Sequence, residues 1–143
     1  MSVTSVLRAD PQIVWQSVST LAGVNEEMAP WLKMTAPQGS DLEAAASGEV
    51  LPLKLVGPAG VPLGTYPLRL LEMNEGSGFL EQTRMLPFFL WQHERTIQPD
   101  GSGTRITDSL GWKWRARRLD FLVIPMVRRF FGHRHGVLRR EFG

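Results

Sequence analysis

Between residues 64 and 114 four strand-like segments follow one another, 64–73, 78–86, 88–98 and 104–114, with only turns between them. The separators NEGSG, Leu86-Pro87 and PDGSG supply the Gly, Pro, Asn and Asp that tight turns require. Strands joined this closely form an antiparallel meander, since a parallel pair needs a crossover of about a dozen residues or more. A meander with one apolar face must cover it. After Trp114 the pattern turns helical. Residues 123–142, at 100° per residue, put Val123, Val127, Phe130, Phe131, Val137, Leu138 and Phe142 on one arc. Arg128, Arg129, Gly132, Gly136, Arg139 and Arg140 fall on the other, and Pro125 is expected at a kink or in the first turn. The apolar arc of this last helix needs a surface to bury it, and the sheet offers one.

The N-terminal part adds smaller pieces. SVTSVLR (2–8) alternates as a strand does. Asp10-Pro11 then starts a helix, with Asp as N-cap and Pro where its missing N–H costs nothing. Val14, Val18 and Leu21 continue it at helical spacing, with Trp15 alongside. Gly23 is expected to stop that helix, and Asn25-Glu26-Glu27-Met28 to form a second, short one running into Pro30-Trp31. Residues 52–67 hold four prolines and three glycines, which suits edge strands and a loop. The expectation is a single α+β domain spanning residues 1–143.

Composition narrows the function classes. With 43% hydrophobic and 21% charged residues the chain reads as an ordinary globular protein. It has no cysteine, which excludes a disulfide framework, thiol chemistry and a Cys-type zinc site, and fits a reducing cytosol. MSVTSVLRADPQ lacks a basic start followed by an apolar run, so no signal peptide is read. The longest apolar run, FLVIPMV at 121–127, falls far short of the ~20 residues of a membrane span. A cytoplasmic location is expected. The net charge of +2 hides an asymmetry: residues 1–104 carry 6 basic and 11 acidic side chains, residues 105–143 carry 10 and 3. A basic C-terminal segment suits phosphate, lipid headgroups or an acidic partner. No nucleophile-elbow GxSxG or phosphate-binding Walker loop is present. His133-x-His135 is a poor metal pair, because helical residues two apart point about 200° apart. No metal and no cofactor are expected.

Residues 90–112, LWQHERTIQPDGSGTRITDSLGW, carry the site candidates. With Gly101-Ser102 as a two-residue loop, paired positions sum to 203. Ile97 then faces Ile106, Arg95 faces Asp108, His93 faces Leu110 and Trp91 faces Trp112. Side chains alternate along a strand. Gln92, Glu94 and Thr96 therefore take the wet face, while Trp91, His93, Arg95 and Ile97 point inward beside Ile106, Asp108, Leu110 and Trp112. Two readings stand. Arg95 and Asp108 form a buried cross-strand ion pair with His93 as a satisfied neighbour, or the trio lines a cavity and meets a ligand. In the last helix Arg134 lies mid-arc among Val127, Phe130 and Leu138, with Glu141 on the same arc and His135 at its edge. Arg134 either snorkels to water or looks inward. Looking inward, it sets two arginines and a histidine against Asp108 and Glu141, which an anionic group such as a carboxylate would complement.

Asp10-Pro11, Trp91-x-His93-x-Arg95, Gly103-Thr104 with Asp108, and Phe131-x-x-Arg134-His135 occur on a strand, two helices, an antiparallel sheet and a long last helix. This order resembles the START-like (SRPBCC) helix-grip superfamily of polyketide cyclases, lipid-transfer domains and birch-pollen-allergen-like proteins, over almost the whole chain. The resemblance implies a curved antiparallel sheet wrapped around the C-terminal helix, two short helices after the first strand, and an elongated hydrophobic cavity between. It implies no catalytic residue, since the superfamily has no common one. GPAGVPLG (57–64) would lie near the cavity mouth, as a plain connection or as a gate.

Three functions follow as expectations. The first is binding or transport of a small hydrophobic or amphiphilic molecule with a polar or acidic end. Its expected contacts are Trp91, His93, Arg95, Asp108, Leu110, Trp112, Phe130 and Arg134, and the tryptophans, with Trp15, Trp31 and Trp114, serve as core or cavity wall. The second is a cyclase, dehydratase or hydrolase in which His93 is the general acid/base and Asp108 orients it. The third places RRFFGHRHGVLRR (128–140) on an anionic membrane or nucleic acid. Its phenylalanines fall on the face the fold buries, so no nucleic acid and no stable membrane insertion are expected.

Overall fold

The computed structural model of the chain describes residues 1–38, 40–85 and 87–143. Leu86, half of the expected Leu86-Pro87 break, lies outside them. β1 (Ser2–Leu7) is followed by α1 (Pro11–Val18) and α2 (Leu21–Met28), then by β2 (Lys33–Thr35), β3 (Leu51–Val56), β4 (Pro62–Asn74), β5 (Gly78–Met85), β6 (Phe88–Asp100) and β7 (Gly103–Lys113). The chain closes with α3 (Asp120–Phe142). The strands form one antiparallel sheet in the order β1-β7-β6-β5-β4-β3-β2. Its register shifts at Leu55/Val56, Leu70/Glu72 and Thr83/Met85. An extra residue on one strand bends and twists the pair, and these shifts curve the sheet around α3. This is the α+β helix-grip arrangement expected from the resemblance.

β6 and β7 pair in the expected register, Arg95 opposite Asp108, His93 opposite Leu110 and Trp91 opposite Trp112. Gly101 holds φ at 58° in the turn, the left-handed region that glycine enters freely. Asp10 caps α1 as its position before Pro11 suggests, accepting from the Gln12 amide at 2.9 Å. Gly23 does not end that helix. α1 stops at Val18, and Thr20 caps a longer second helix than Asn25–Met28, its Oγ1 accepting from the Gly23 N–H at 3.1 Å. Gly23 is a contact point instead: a Cβ there would lie 1.9 Å from the Ser17 carbonyl oxygen, where the two helices meet.

α3 is fastened at both ends. Asp120 Oδ1 accepts the indole N–H of Trp114 at 2.7 Å and of Trp112 at 3.2 Å. The Phe142 carbonyl accepts the Arg8 and Ala9 amides, both at 3.0 Å. Pro125 falls inside the helix, in its second turn. Toward the C-terminal end, Leu138 joins Leu7, Val14, Trp15, Val18, Ile97 and Ile106 in a dry core. Toward the other end, Val123, Val127 and Phe131 pack with Leu110, and Leu51, Leu53, Tyr66, Leu68 and Leu70 line the concave side of β3 and β4. Trp31, by contrast, is exposed. Residues 57–64 make the connection between β3 and β4. Among the described residues no helix is long and apolar enough to cross a membrane.

Candidate functional site

The inward side chains of β6 and β7 meet the inward faces of α2 and α3 in a continuous ionic network. Asp108 is its hub. Its Oδ1 accepts from His93 Nε2 at 2.8 Å and Arg95 Nε at 2.7 Å; its Oδ2 accepts from Arg95 Nη2 at 2.7 Å and His135 Nε2 at 2.9 Å. Arg95 turns its far edge to Glu27, Nη1 to Oε1 at 2.8 Å and Nη2 to Oε2 at 2.9 Å. Glu27 Oε2 also takes Arg134, from Nε at 3.0 Å and with Nη2 at 2.8 Å. Arg134 therefore looks inward and does not snorkel. His135 continues the network outward: Arg139 donates to Ser5 Oγ at 2.7 Å, and the Ser5 hydroxyl lies 2.8 Å from His135 Nδ1. Glu141, expected on the enclosed face, is exposed instead.

Burial decides the chemistry here. Asp108, Arg95, His93, His135 and Glu27 are all buried, so each charge must be neutralised locally. Burial alone would raise the Asp108 pKa, but Arg95 and His93, with hydrogen bonds from Arg95 and His135, hold it well below the usual carboxylate range. Glu27 follows the same pattern, burial being outweighed by Arg95 and Arg134, which lower it. For His93 burial pulls down while Asp108 and Glu81 push up, and the carboxylates prevail. Geometry agrees, since His93 Nδ1 lies 2.8 Å from Glu81 Oε1 and both ring nitrogens thus face carboxylates. Two carboxylates facing the ring favour a proton on each nitrogen, the imidazolium form. Glu27, Glu81 and Asp108 then balance Arg95, Arg134 and His93.

Beside this network lies a hollow of about 300 Å³ between the sheet and α3. Its walls are mostly methionine, leucine and aromatic side chains, among them Met34, Leu55, Phe88, Trp91, Phe130 and Phe131. The polar groups facing it come from Tyr66, Glu81, His93 and Arg134. A narrow extension of about 50 Å³ shares those four residues and runs toward Leu53, Leu68 and Phe79. The Arg134 guanidinium lies 5.0 Å over the Phe131 ring, and among the described residues nothing accepts from its Nη1. Glu81 likewise keeps Oε2 without a donor, its Oε1 taking His93 and, at 3.4 Å, the Tyr66 hydroxyl. Burial first, then the neighbouring Glu81, pushes the Tyr66 hydroxyl well above its ordinary pKa, so it stays protonated. The polar end of the hollow thus offers at least one donor, Arg134 Nη1, and one acceptor, Glu81 Oε2.

Of the eight expected contacts, Trp91, His93, Phe130 and Arg134 line the hollow. Arg95, Asp108, Leu110 and Trp112 do not. Arg95 and Asp108 are spent on each other and on Glu27 and the histidines, while Trp112 stacks behind Trp91 at 5.9 Å and Leu110 packs under Val123 and Val127. His93 has both nitrogens occupied, so it can exchange a proton with a bound molecule only where Glu81 gives way. Residues 57–64 line neither lobe. Glu27, Glu81 and Tyr66 were not singled out from the sequence, yet each left a trace there. Glu27 and Met28 lie three and four residues after Val24, on one helical face, and Glu81 shares a strand face with Phe79 and Thr83. Among the described residues no group of three or more His, Cys, Asp or Glu is placed to hold a metal ion.

The fold is shared with solved structures at low identity. Protein CV1439 from Chromobacterium violaceum matches with a TM-score of 0.72 at 13% identity, over 98% of this chain and 94% of that one. A protein from Nitrosospira multiformis matches at 0.70 and 11%, over 100% and 95%. Ara h 8.0201 matches at 0.63 and 10%, over 96% and 95%. These likenesses show the fold, a Bet v1/SRPBCC-like helix grip. None of the curated proteins matches the chain in sequence. A family of domains of unknown function, DUF8410, matches residues 5–142, and the chain belongs to it.

Proposed function

We propose that residues 1–143 act as one binding unit that encloses a small hydrophobic molecule by its apolar body and meets one polar group at its end. The observation that carries this reading is the hollow, walled by apolar and aromatic side chains with four polar residues at one side. Its volume of about 300 Å³ sits at the small end of ligand pockets. Trp91, Phe130 and Phe131 would hold the apolar body, and Arg134 and Glu81 the polar end. An acidic end follows from counting Arg95, His93 and Arg134 against Asp108 and Glu141; Glu141 is exposed, and Glu27 and Glu81 change that count. With three carboxylates already balancing three cations, an alcohol or carbonyl adds no net charge to a buried site, whereas an ionised acid adds one. The preferred end is therefore neutral, accepting from Arg134 Nη1 or donating to Glu81 Oε2.

Thermal unfolding with 1-decanol and with decanoic acid tests both statements. A ligand at a hundred times its Kd stabilises by about 2.7 kcal/mol, a shift of several degrees for a chain of this size. The alcohol should raise the melting temperature more than the acid, and denaturing mass spectrometry of purified protein should release a small hydrophobic molecule. Absence of both the shift and a released molecule would end the binding reading. His93→Gln separates a carrier from an enzyme: altered affinity alone fits the carrier, and turnover lost with binding kept fits the cyclase, dehydratase or hydrolase alternative.

A further inference from the structure

From Phe121 to Val127, α3 is apolar on every side. Val123 and Val127 are buried against the sheet, while Phe121, Leu122, Ile124 and Met126 project outward. Phe121 is 67% exposed and Met126 62% exposed, so this is the helix's bare tip rather than the rim of a core. A contiguous exposed apolar patch of this kind marks an interaction site. Its surroundings are basic. Arg115, Arg117 and Arg118 precede it and Arg128 and Arg129 follow it, all exposed. The single acid in this stretch, Asp120, is occupied by the indoles of Trp112 and Trp114. Arg115 also lies 5.5 Å over the ring of Phe89, itself half exposed, which extends the greasy surface onto the start of β6.

Exposed guanidiniums before and after protruding apolar side chains fit an anionic bilayer, where the cations meet headgroups and the side chains enter the acyl boundary. A second copy of the chain would bring one set of arginines against the other. A nucleic acid would satisfy the charge but leave Leu122, Ile124 and Met126 in water. Met126 belongs to two surfaces at once, for it is exposed on the tip and also lines the mouth of the hollow, followed by Val127 and Phe130.

We propose that this end of α3 is a docking surface for anionic lipid bilayers, lying in the headgroup layer with the mouth of the hollow turned toward the membrane. The docking stands on the patch itself; the role of the mouth in passing a ligand rests on the binding function proposed above. The surface shares Arg128 and Arg129 with residues 128–140, where the sequence placed the basic candidate, but not its aromatics, because Phe131 is buried and Phe130 half-buried. The apolar contribution comes from the preceding turns.

Co-sedimentation with phosphatidylcholine vesicles, with and without about a third of phosphatidylglycerol, tests the docking. Binding is expected only to the anionic vesicles and to weaken at high salt. Phe121→Ser with Met126→Ser should reduce it at least tenfold, and Arg117→Gln with Arg118→Gln by about fivefold per arginine, from the ~1 kcal/mol each contributes near such a surface. All four side chains are exposed, so the melting temperature should hold. Arg139→Gln with Arg140→Gln, at the other end of the helix, should leave binding unchanged. Val127→Phe, which blocks the hollow, should still dock; that result separates docking from ligand binding. The proposal is overturned by absence of binding to anionic vesicles, by undiminished binding of the Phe121/Met126 variant, by tighter binding to duplex DNA at the same salt, or by self-association that the same variant abolishes.

Discussion

Asp108 spends both oxygens on four donors, and Arg95 spends both edges on two carboxylates, so neither can change alone. Asp108→Asn leaves Arg95 facing an amide that can offer one oxygen, and removing one partner of a buried pair costs about 3–5 kcal/mol. Urea unfolding should show that loss, and a change under 1 kcal/mol would contradict the network as drawn. The network also sets a pH window. Asp108 and Glu27 have folded pKa values below their unfolded ones near 3.8 and 4.5, so their contribution is present above about pH 4.5 and lost as pH falls through the folded values. His93 runs the other way. Its folded value lies above 6.5, so its contribution is complete below about pH 6.5 and lost as pH rises through the folded value. Melting temperature should therefore peak between about pH 5 and 6.5 and decline on the alkaline side, and His93→Gln should flatten that decline. A wild-type profile still rising past pH 8 would show that His93 is not held as a cation. At this scale the sequence made Arg95 opposite Asp108 readable, because strand alternation and a two-residue loop depend on neighbours alone. Glu27 was not readable, because an acid next to Glu26 on a short helix looks solvated until α2 docks over Arg95.

The elements divide in the same way. β6 and β7 could be aligned residue by residue, since a one-residue slip would turn every inward side chain outward. The α1–α2 boundary could not, because a glycine that ends a helix and a glycine that lets two helices touch look alike in one dimension. Gly23 is of the second kind. An exposed helical glycine usually gains about 1 kcal/mol on replacement by alanine, from reduced backbone freedom in the unfolded chain. Gly132 in α3, though half-buried, should behave so, since a Cβ there meets nothing within 4 Å. Gly23→Ala should have the opposite sign, because its Cβ would lie 1.9 Å from a backbone oxygen that cannot swing aside as a side chain would. A loss of about 1–3 kcal/mol is expected, the usual cost of forcing packed elements apart. Chemical denaturation of the two variants side by side checks the pair, and equal signs would refute the packing role of Gly23. The start of α3 shows a further limit of local reading. FLVIPMV looks like core because it is apolar, yet five of its seven residues stand in solvent; helical spacing set Val123 and Val127 inward, but only the docked position of the helix shows that Phe121 and Met126 stay uncovered.

Across the whole molecule, packing quality runs along α3 from one end to the other. Around Leu138 the helix closes on Leu7, Val14, Val18, Ile97 and Ile106, none of them more than 3% exposed. Around Phe130 and Phe131 it stands off the sheet by enough to leave about 300 Å³. The ionic network lies between the two, and its position explains the division: Glu27, Arg95 and Arg134 link α2, β6 and α3 by fixed hydrogen-bond lengths, so the sheet cannot collapse further onto the helix. A chain selected for stability alone would fill the gap with larger side chains, as open cavities cost packing energy. One substitution made at each end measures the gradient. Val18→Phe, in the closed core, should cost about 1–3 kcal/mol through overpacking. Val127→Phe, on the wall of the hollow, should cost less than 1 kcal/mol or stabilise, because its ring has room, and should abolish the shift in melting temperature caused by decanol. If both variants lose the same stability, the space beside α3 is not a cavity the fold holds open, and the binding function falls with it.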